Sequence, residues 1–218
     1  MLELLLLAGF GVMVVHSISV RDDEFSLLPR KVSDKIGKLW DIAHQGMREN
    51  RFLRAEKALL SILKIDEKNA AAYNRLGILY AKQKEYKDAI DCFEIASSIE
   101  PSASSLHNLG LIYFETENYP KAATAFEHAL KLEDSLAARH IAYAKVQEKL
   151  GNQKVMLDEL QKAVELEPSQ ESYRLIRKAY EDMGMQAEAD LIAEKMKHST
   201  KHTSHRKKRL SRPKRVVI

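Results

Sequence analysis

Hydrophobic residues in the middle of the chain recur at intervals that suit one face of an α-helix. Leu76 and Tyr80 lie four positions apart, and Leu109 and Tyr113 repeat that spacing. Short polar stretches such as Lys-Gln-Lys-Glu at 82–85 interrupt the pattern. Few glycines and prolines and many Ala, Leu, Lys and Glu also favour helices. The sequence therefore predicts an all-α fold of short helices joined by turns.

The helical pattern repeats at a constant offset along the chain. Residues 73–80 read Tyr-Asn-Arg-Leu-Gly-Ile-Leu-Tyr, and residues 106–113 read Leu-His-Asn-Leu-Gly-Leu-Ile-Tyr. Phe93 and Phe126 follow these two segments at equal distances, so the same offset separates them as well. The glycine in each segment, Gly110 in the second, leaves room for a close approach of two helices. The repeat predicts a series of helical hairpins.

These residues resemble the tetratricopeptide repeat, a helix–turn–helix unit of about 34 residues. Two units match closely, and three weaker units extend the register in both directions. The resemblance implies a right-handed superhelical solenoid of about five units over 36–197. In the last unit Arg177 replaces a small residue, which suits a terminal cap. The five units lie near 36–67, 70–101, 103–134, 137–168 and 170–197.

In this family the first helix of each unit lines a groove that binds a peptide or helix of a partner protein. The resemblance thus implies a protein-binding groove, apolar in its first three units and partly basic in the last two. Arg174 and Lys178 would pair with an acidic ligand group there, or alternatively belong to a solvated capping face. The groove positions carried over are Trp40, His44, Asn74, Ile78, His107, Leu111, Phe114, Lys145, Arg174 and Lys178.

The first twenty residues, MLELLLLAGFGVMVVHSISV, form a separate apolar segment. As a helix, residues 2–20 would rise about 28 Å, close to the hydrocarbon core of a bilayer. Basic residues follow the segment and none precedes it, which predicts the N-terminus outside and the repeat array in the cytoplasm. We therefore expect a single-pass membrane protein with an anchor at 1–20 and a linker at 21–35. Cleavage of a signal near Ser19 with export, or packing in a soluble fold, are the alternatives.

The last residues, 198–218, are predicted to be a disordered basic tail. From Lys195 to Ile218 there are ten basic residues and no acid, whereas the rest of the chain carries 25 bases and 31 acids. Partners for 195–215 are the phosphates of nucleic acid or the ribosome, anionic lipid head groups, or the acidic face of the array itself. A solubilising tail without a partner is the alternative. The densest bases are Arg206, Lys207, Lys208, Arg209, Arg212, Lys214 and Arg215.

No pattern in the sequence indicates catalysis, a metal or a cofactor. The eight histidines are scattered, and neither a Gly-rich phosphate loop nor a His-Glu-x-x-His pattern occurs. The only cysteine, Cys92, excludes an intramolecular disulfide and is predicted to be inert and half-buried. We predict a non-catalytic, membrane-anchored interaction scaffold without cofactor. The alternative is a nucleic-acid-associated or ribosome-associated adaptor acting through the tail.

Overall fold

A computed structural model describes residues 30–197, and all regular elements in that range are α-helices. The all-α prediction is therefore confirmed for these residues. A tenth helix, α10, covers 186–197. The other nine, in chain order from α1 to α9, are Arg30–Arg48, Phe52–Leu63, Ala70–Gln83, Tyr86–Ile99, Ala103–Glu115, Tyr119–Leu132, Ala137–Lys149, Gln153–Leu166 and Gln170–Asp182.

The chain divides into two compact bodies after Leu79, a point that lies inside α3. We call Met1–Leu79 the N-terminal body and Tyr80–Ile218 the C-terminal body. The described part of the N-terminal body contains α1, α2 and the first part of α3. The described part of the C-terminal body contains the rest of α3 and α4 to α10, with helices paired as hairpins.

Each hairpin turn closes on one residue in the left-handed conformation. The residue after it donates its backbone N–H to the carbonyl oxygen five positions earlier, as Asn118 does to Tyr113 at 2.8 Å. This is the Schellman arrangement, which satisfies carbonyls left open at a helix end. Because such a closure recurs in every hairpin, the backbone repeats even where the sequence does so weakly. The φ values of the left-handed turn residues are +56° at Asn50, +63° at Lys84, +59° at Glu117, +76° at Gly151 and +72° at Gly184.

Side-chain caps fix where several helices begin. Ser102 accepts a hydrogen bond from the backbone N–H of Ser105 at 3.1 Å, and Asn118 accepts one from Lys121 at 3.4 Å. At α9, the Ser169 hydroxyl accepts a hydrogen bond from the backbone N–H of Ser172, and the Ser172 hydroxyl accepts one from the backbone N–H of Ser169. Such caps satisfy N–H groups that the helix itself leaves without partners.

A glycine permits the closest helix approach in the α5–α6 hairpin. A Cβ atom on Gly110 would lie 2.9 Å from Cζ of Phe126, whose side chain is completely buried. Gly46 serves the α1–α2 hairpin in the same way, since its Cβ would lie 3.0 Å from that of Ala55. The close approach predicted at Gly110 is thereby confirmed.

Tyrosine hydroxyls join successive hairpins of the C-terminal body. Tyr113 on α5 donates to Glu94 Oε1 on α4 at 2.6 Å. Two repeats later, Tyr180 on α9 accepts from Gln161 Nε2 on α8 at 2.9 Å. The two partners have the same separation in sequence in both pairs, so the same contact recurs at the same repeat position.

No helix within 30–197 is long and apolar enough to cross a lipid bilayer. The longest, α1, has 19 residues but carries charged side chains along its length, including Lys31, Asp34 and Lys38. The single-pass localisation predicted above is therefore corrected and no longer assigned. The segment 2–20, on which that prediction depended, lies outside the described residues.

Candidate functional site

The inner face of the C-terminal body is the side of α5, α7 and α9 that carries Phe114, Lys145 and Lys178. Two neighbouring cavities open on this face, and Phe114 and Lys145 line both of them. Phe114 is half-buried, and its ring meets that of Tyr119 edge-on at 5.6 Å between centroids. Because Tyr119 begins the following helix, the α5–α6 turn holds the shared wall in place.

Cavity A has a volume of about 430 Å³ and a mainly apolar lining. Two lysines and two carboxylates, Lys145, Lys178, Glu148 and Asp182, are its charged residues. A cavity of this size, apolar with a few charged groups, is typical of ligand sites. Its apolar side chains are Phe114, Ala144, Met156, Leu160, Leu175, Ala179 and Met183.

Cavity B has a volume of about 390 Å³ and more acid than base around it. Its apolar side chains are contributed by α5, α6 and α7, and its carboxylates by Glu115, Glu167 and Glu171. Among the described residues, Lys145 is the only Lys or Arg in this lining. The apolar side chains are Leu111, Phe114, Phe126, Ala138, Ile141 and Ala142.

His107 also lines cavity B and carries little positive charge into it. Its ring meets that of Phe126 edge-on at 5.3 Å between centroids. Burial lowers the pKa of His107 below its usual value, and the nearby Arg139 guanidinium lowers it further. The imidazole is therefore neutral near pH 7, which leaves the acidic balance of cavity B unchanged.

Five of the ten predicted groove residues come together on the inner face: His107, Leu111, Phe114, Lys145 and Lys178. Arg174 is exposed on α9 but lines neither cavity.

The other four predicted residues lie in the N-terminal body. Trp40 and His44 contact each other on α1, with ring centroids 5.5 Å apart, and Asn74 and Ile78 are half-buried on α3. Their role in a groove stays a prediction.

Sequence reasoning missed the residues contributed by helix ends and connecting segments. Met183 follows the end of α9, and Glu167 follows the end of α8. The repeat register assigns groove positions only along the first helix of each unit, so it passes over both. The nearest sequence signal was the position of Glu167 directly before Pro168, at the point where one unit ends.

The described residues contain no group of three or more His, Cys, Asp or Glu side chains placed to hold a metal ion. Cys92 is buried rather than half-buried. Burial, followed by the negative charges of Asp88 and Asp91, raises the pKa of its thiol to about 11. The thiol is therefore protonated near pH 7 and is a poor nucleophile.

Two family models, each described as the tetratricopeptide repeat, match residues 70–102 and 103–136. Residues 70–136 are two tetratricopeptide repeats. The matches agree with the two units that the sequence pattern identified most clearly, and α3 to α6 supply their helices.

Solved structures share the fold over a larger part of the chain. A crystal structure of the MamA protein superposes with a TM-score of 0.70 at 20% identity, covering 85% of this chain and 98% of that one. MamA from Desulfovibrio magneticus RS-1, residue 41 to the end, gives 0.69 at 15% identity, with 78% and 97% covered. YrrB, described as a TPR protein with an unusual peptide-binding site, gives 0.61 at 20% identity, with 71% and 80% covered. At these identities the likeness shows the solenoid fold alone.

No curated protein sequence matches the chain significantly. The basic residues 206–215 lie outside the described range, and none of the comparisons supports a lipid or nucleic-acid partner.

Proposed function

We propose that this protein is a non-catalytic interaction scaffold that holds a peptide or helix of a partner protein on the inner face of its C-terminal body. The observation that carries the proposal is the pair of adjoining cavities that share Phe114 and Lys145. A bound segment can place side chains in both while its backbone crosses the shared wall. The description of YrrB as a TPR protein with a peptide-binding site gives a precedent for such use of this fold.

Cavity A is the anchor point in this proposal. Its apolar walls can surround one large side chain of the partner, such as Leu, Met or Phe, and remove it from water. Side chains that fill a closed apolar pocket contribute most of the binding energy in protein interfaces. Met156 and Met183 suit the role because methionine adapts to ligands of different outlines.

The charged residues of cavity A fix the direction of the bound segment. Lys145 and Lys178 face an acidic flank of the ligand, while Glu148 and Asp182 face a basic one. Because the signs are mixed, charge contributes to specificity and orientation more than to affinity. We expect ligands with an apolar residue that has an acidic residue on one side.

A peptide array tests the proposal. It carries short peptides with a central Leu, Met or Phe and with Glu or Lys at each flank. Intact protein should prefer Glu on one flank, and the variant Lys145→Glu/Lys178→Glu should change that preference to Lys. The matched control Lys149→Glu/Lys154→Glu reverses two exposed lysines that line neither cavity and should leave the preference unchanged. Equal binding to scrambled peptides, or the same preference in all three proteins, contradicts the proposal.

A further inference from the structure

The described chain ends beside cavity B. Gln170, at the start of α9, donates a hydrogen bond from Nε2 to the backbone oxygen of Met196 at 3.2 Å. The residues on either side of it, Ser169 and Glu171, line cavity B. Met196 also packs against the core cluster formed by α7 to α10. The chain that follows Lys197 therefore continues from the edge of this cavity.

Cavity B combines an apolar floor with an excess of carboxylates over basic side chains. Leu111, Phe114 and Ile141 contribute to the floor. Three carboxylates surround the floor: Glu115 on α5, Glu171 on α9 and Glu167 in the segment between α8 and α9. All three are exposed. Within residues 30–197 none of these carboxylates forms an ion pair. The surface thus fits a segment that combines positive charge with an apolar side chain.

The segment 205–215, His-Arg-Lys-Lys-Arg-Leu-Ser-Arg-Pro-Lys-Arg, has that chemistry. Its seven bases surround Leu210, and no acid occurs between Lys195 and Ile218. Arg206 follows Lys197 by nine positions, and an extended chain of that length spans up to about 30 Å. The distance from the chain's exit point to cavity B is therefore well within reach.

We propose that cavity B is the docking site for the chain's own segment 205–215. The basic side chains pair with Glu115, Glu167 and Glu171, and Leu210 lies on the apolar floor. Exposed ion pairs are individually weak. Within one molecule, however, a short connection provides an effective concentration in the millimolar range, so even a weak contact is occupied.

Docking of this segment has a consequence for the site described above. Phe114 and Lys145 border both cavities, so a segment in cavity B covers part of the surface that a partner would use in cavity A. The tail would act as an internal competitor. This consequence rests on the proposed function, whereas the docking itself does not.

Zero-length carbodiimide crosslinking of the full chain tests the contact directly, because it joins only lysines and carboxylates that touch. Mass spectrometry should find Lys207, Lys208 or Lys214 joined to Glu115, Glu167 or Glu171. The reaction is run on a mixture of isotopically light and heavy protein. Light–light and heavy–heavy crosslinks alone support docking within one chain, and light–heavy crosslinks overturn it in favour of contact between copies.

Charge reversal tests whether cavity B is the acceptor. The full-length variant Glu167→Lys/Glu171→Lys should lose at least fivefold in tail crosslinking yield, measured at the remaining Glu115. The control Glu188→Lys/Glu194→Lys reverses two exposed carboxylates on α10, closer to the tail in sequence but outside the cavity. Circular dichroism checks that both variants stay helical. An equal loss in the control shows that the tail is attracted without a defined site, and overturns the proposal.

A labelled synthetic peptide of residues 198–218 gives an independent measurement by fluorescence anisotropy. We expect weak binding to the intact chain, whose own segment occupies the cavity. Binding should be at least fivefold tighter to the full-length variant Lys207→Glu/Lys208→Glu/Arg209→Glu, and it should weaken as salt screens the charges. Equal affinity for both proteins contradicts internal docking. If docking is found but the peptide array shows no ligand for cavity A, only the proposed function fails.

Discussion

The hairpins α5–α6 and α7–α8 have the same backbone design but different packing residues. Their left-handed turn residues, Glu117 and Gly151, occupy equivalent positions of the repeat. In the same register, the close pair Gly110 and Phe126 corresponds to Ala144 and Leu160, which are buried in one core cluster. Relative to the first hairpin, the second has alanine in place of glycine on one helix and leucine in place of phenylalanine on the other. Such a paired change keeps the volume of the core roughly constant.

A second pair of equivalent positions differs in polarity. Leu106 and Ala125 of the first hairpin correspond to His140 and Glu159 of the second. His140 Nδ1 lies 2.6 Å from Glu159 Oε2, and its Nε2 lies 2.7 Å from the carbonyl oxygen of Asp134. Both side chains are buried. The fold therefore accepts an apolar or a hydrogen-bonded polar pair at this place, provided that the partners change together.

The largest effect is expected from separating this polar pair. His140→Ala leaves the buried Glu159 carboxylate with Lys162, at 2.8 Å, as its one partner within residues 30–197. Removing a hydrogen-bond partner from a buried charged group costs about 3 kcal/mol of unfolding free energy. Urea unfolding of the full chain measures it.

Installing the residues of the first hairpin sharpens the comparison. His140→Leu/Glu159→Ala should regain most of that stability, because no charge is left buried. His128→Ala, at an exposed histidine on α6, serves as the control and should have little effect. A single variant His140→Ala as stable as the control would show that the pair is not required.

The next effect concerns the close approach in the first hairpin. Gly110→Ala forces a Cβ against the buried Phe126 ring. Overpacking of about 1–3 kcal/mol is partly offset by the better helix propensity of alanine, worth about 1 kcal/mol, so we expect a net loss of up to about 2 kcal/mol. Adding Phe126→Leu reproduces the second hairpin and should restore part of the loss. A double-mutant cycle measures the coupling, and strict additivity would contradict the compensation.

The turns should show a smaller effect of opposite sign in the two hairpins. A residue other than glycine in the left-handed region costs about 1 kcal/mol. Glu117→Gly should therefore raise, and Gly151→Glu lower, the thermal unfolding midpoint. Lys87→Gly places a glycine within helix α4 and should lower the midpoint as a control. If Glu117→Gly and the control Lys87→Gly both raised the midpoint, turn geometry would not be the cause.

The smallest effect is expected at the tyrosine contact, which the second hairpin lacks, since Gln147 replaces Tyr113. Tyr113→Phe removes the hydrogen bond to the exposed Glu94 and should cost about 0.5 kcal/mol. Burial, followed by that hydrogen bond, raises the pKa of Tyr113 to about 12. The raised pKa stabilises the fold below pH 10, and this contribution is lost as pH rises from 10 to 12. Unfolding curves across that range should fall less in Tyr113→Phe, and parallel curves would contradict the assignment.

The comparison also shows what the sequence can predict. Gly110 and Phe126 could be identified from the sequence, because small and large residues at fixed spacing indicate where two helices pack closely. His140 and Glu159 were not found, because the repeat register predicts apolar residues at both positions. In the candidate site, Phe114 and Lys145 follow from the register. Glu167 and Met183 do not, since connecting segments obey no helical period.

The regular turns have a consequence for how the chain folds. A reversal of direction in every repeat keeps most contact partners close in sequence. Proteins dominated by such local contacts pay little loop-closure entropy and fold rapidly. Each hairpin can begin to form from its own residues on the ribosome, and the following repeat then covers its remaining apolar face. Synthesis and folding of this chain can therefore advance together, one turn at a time.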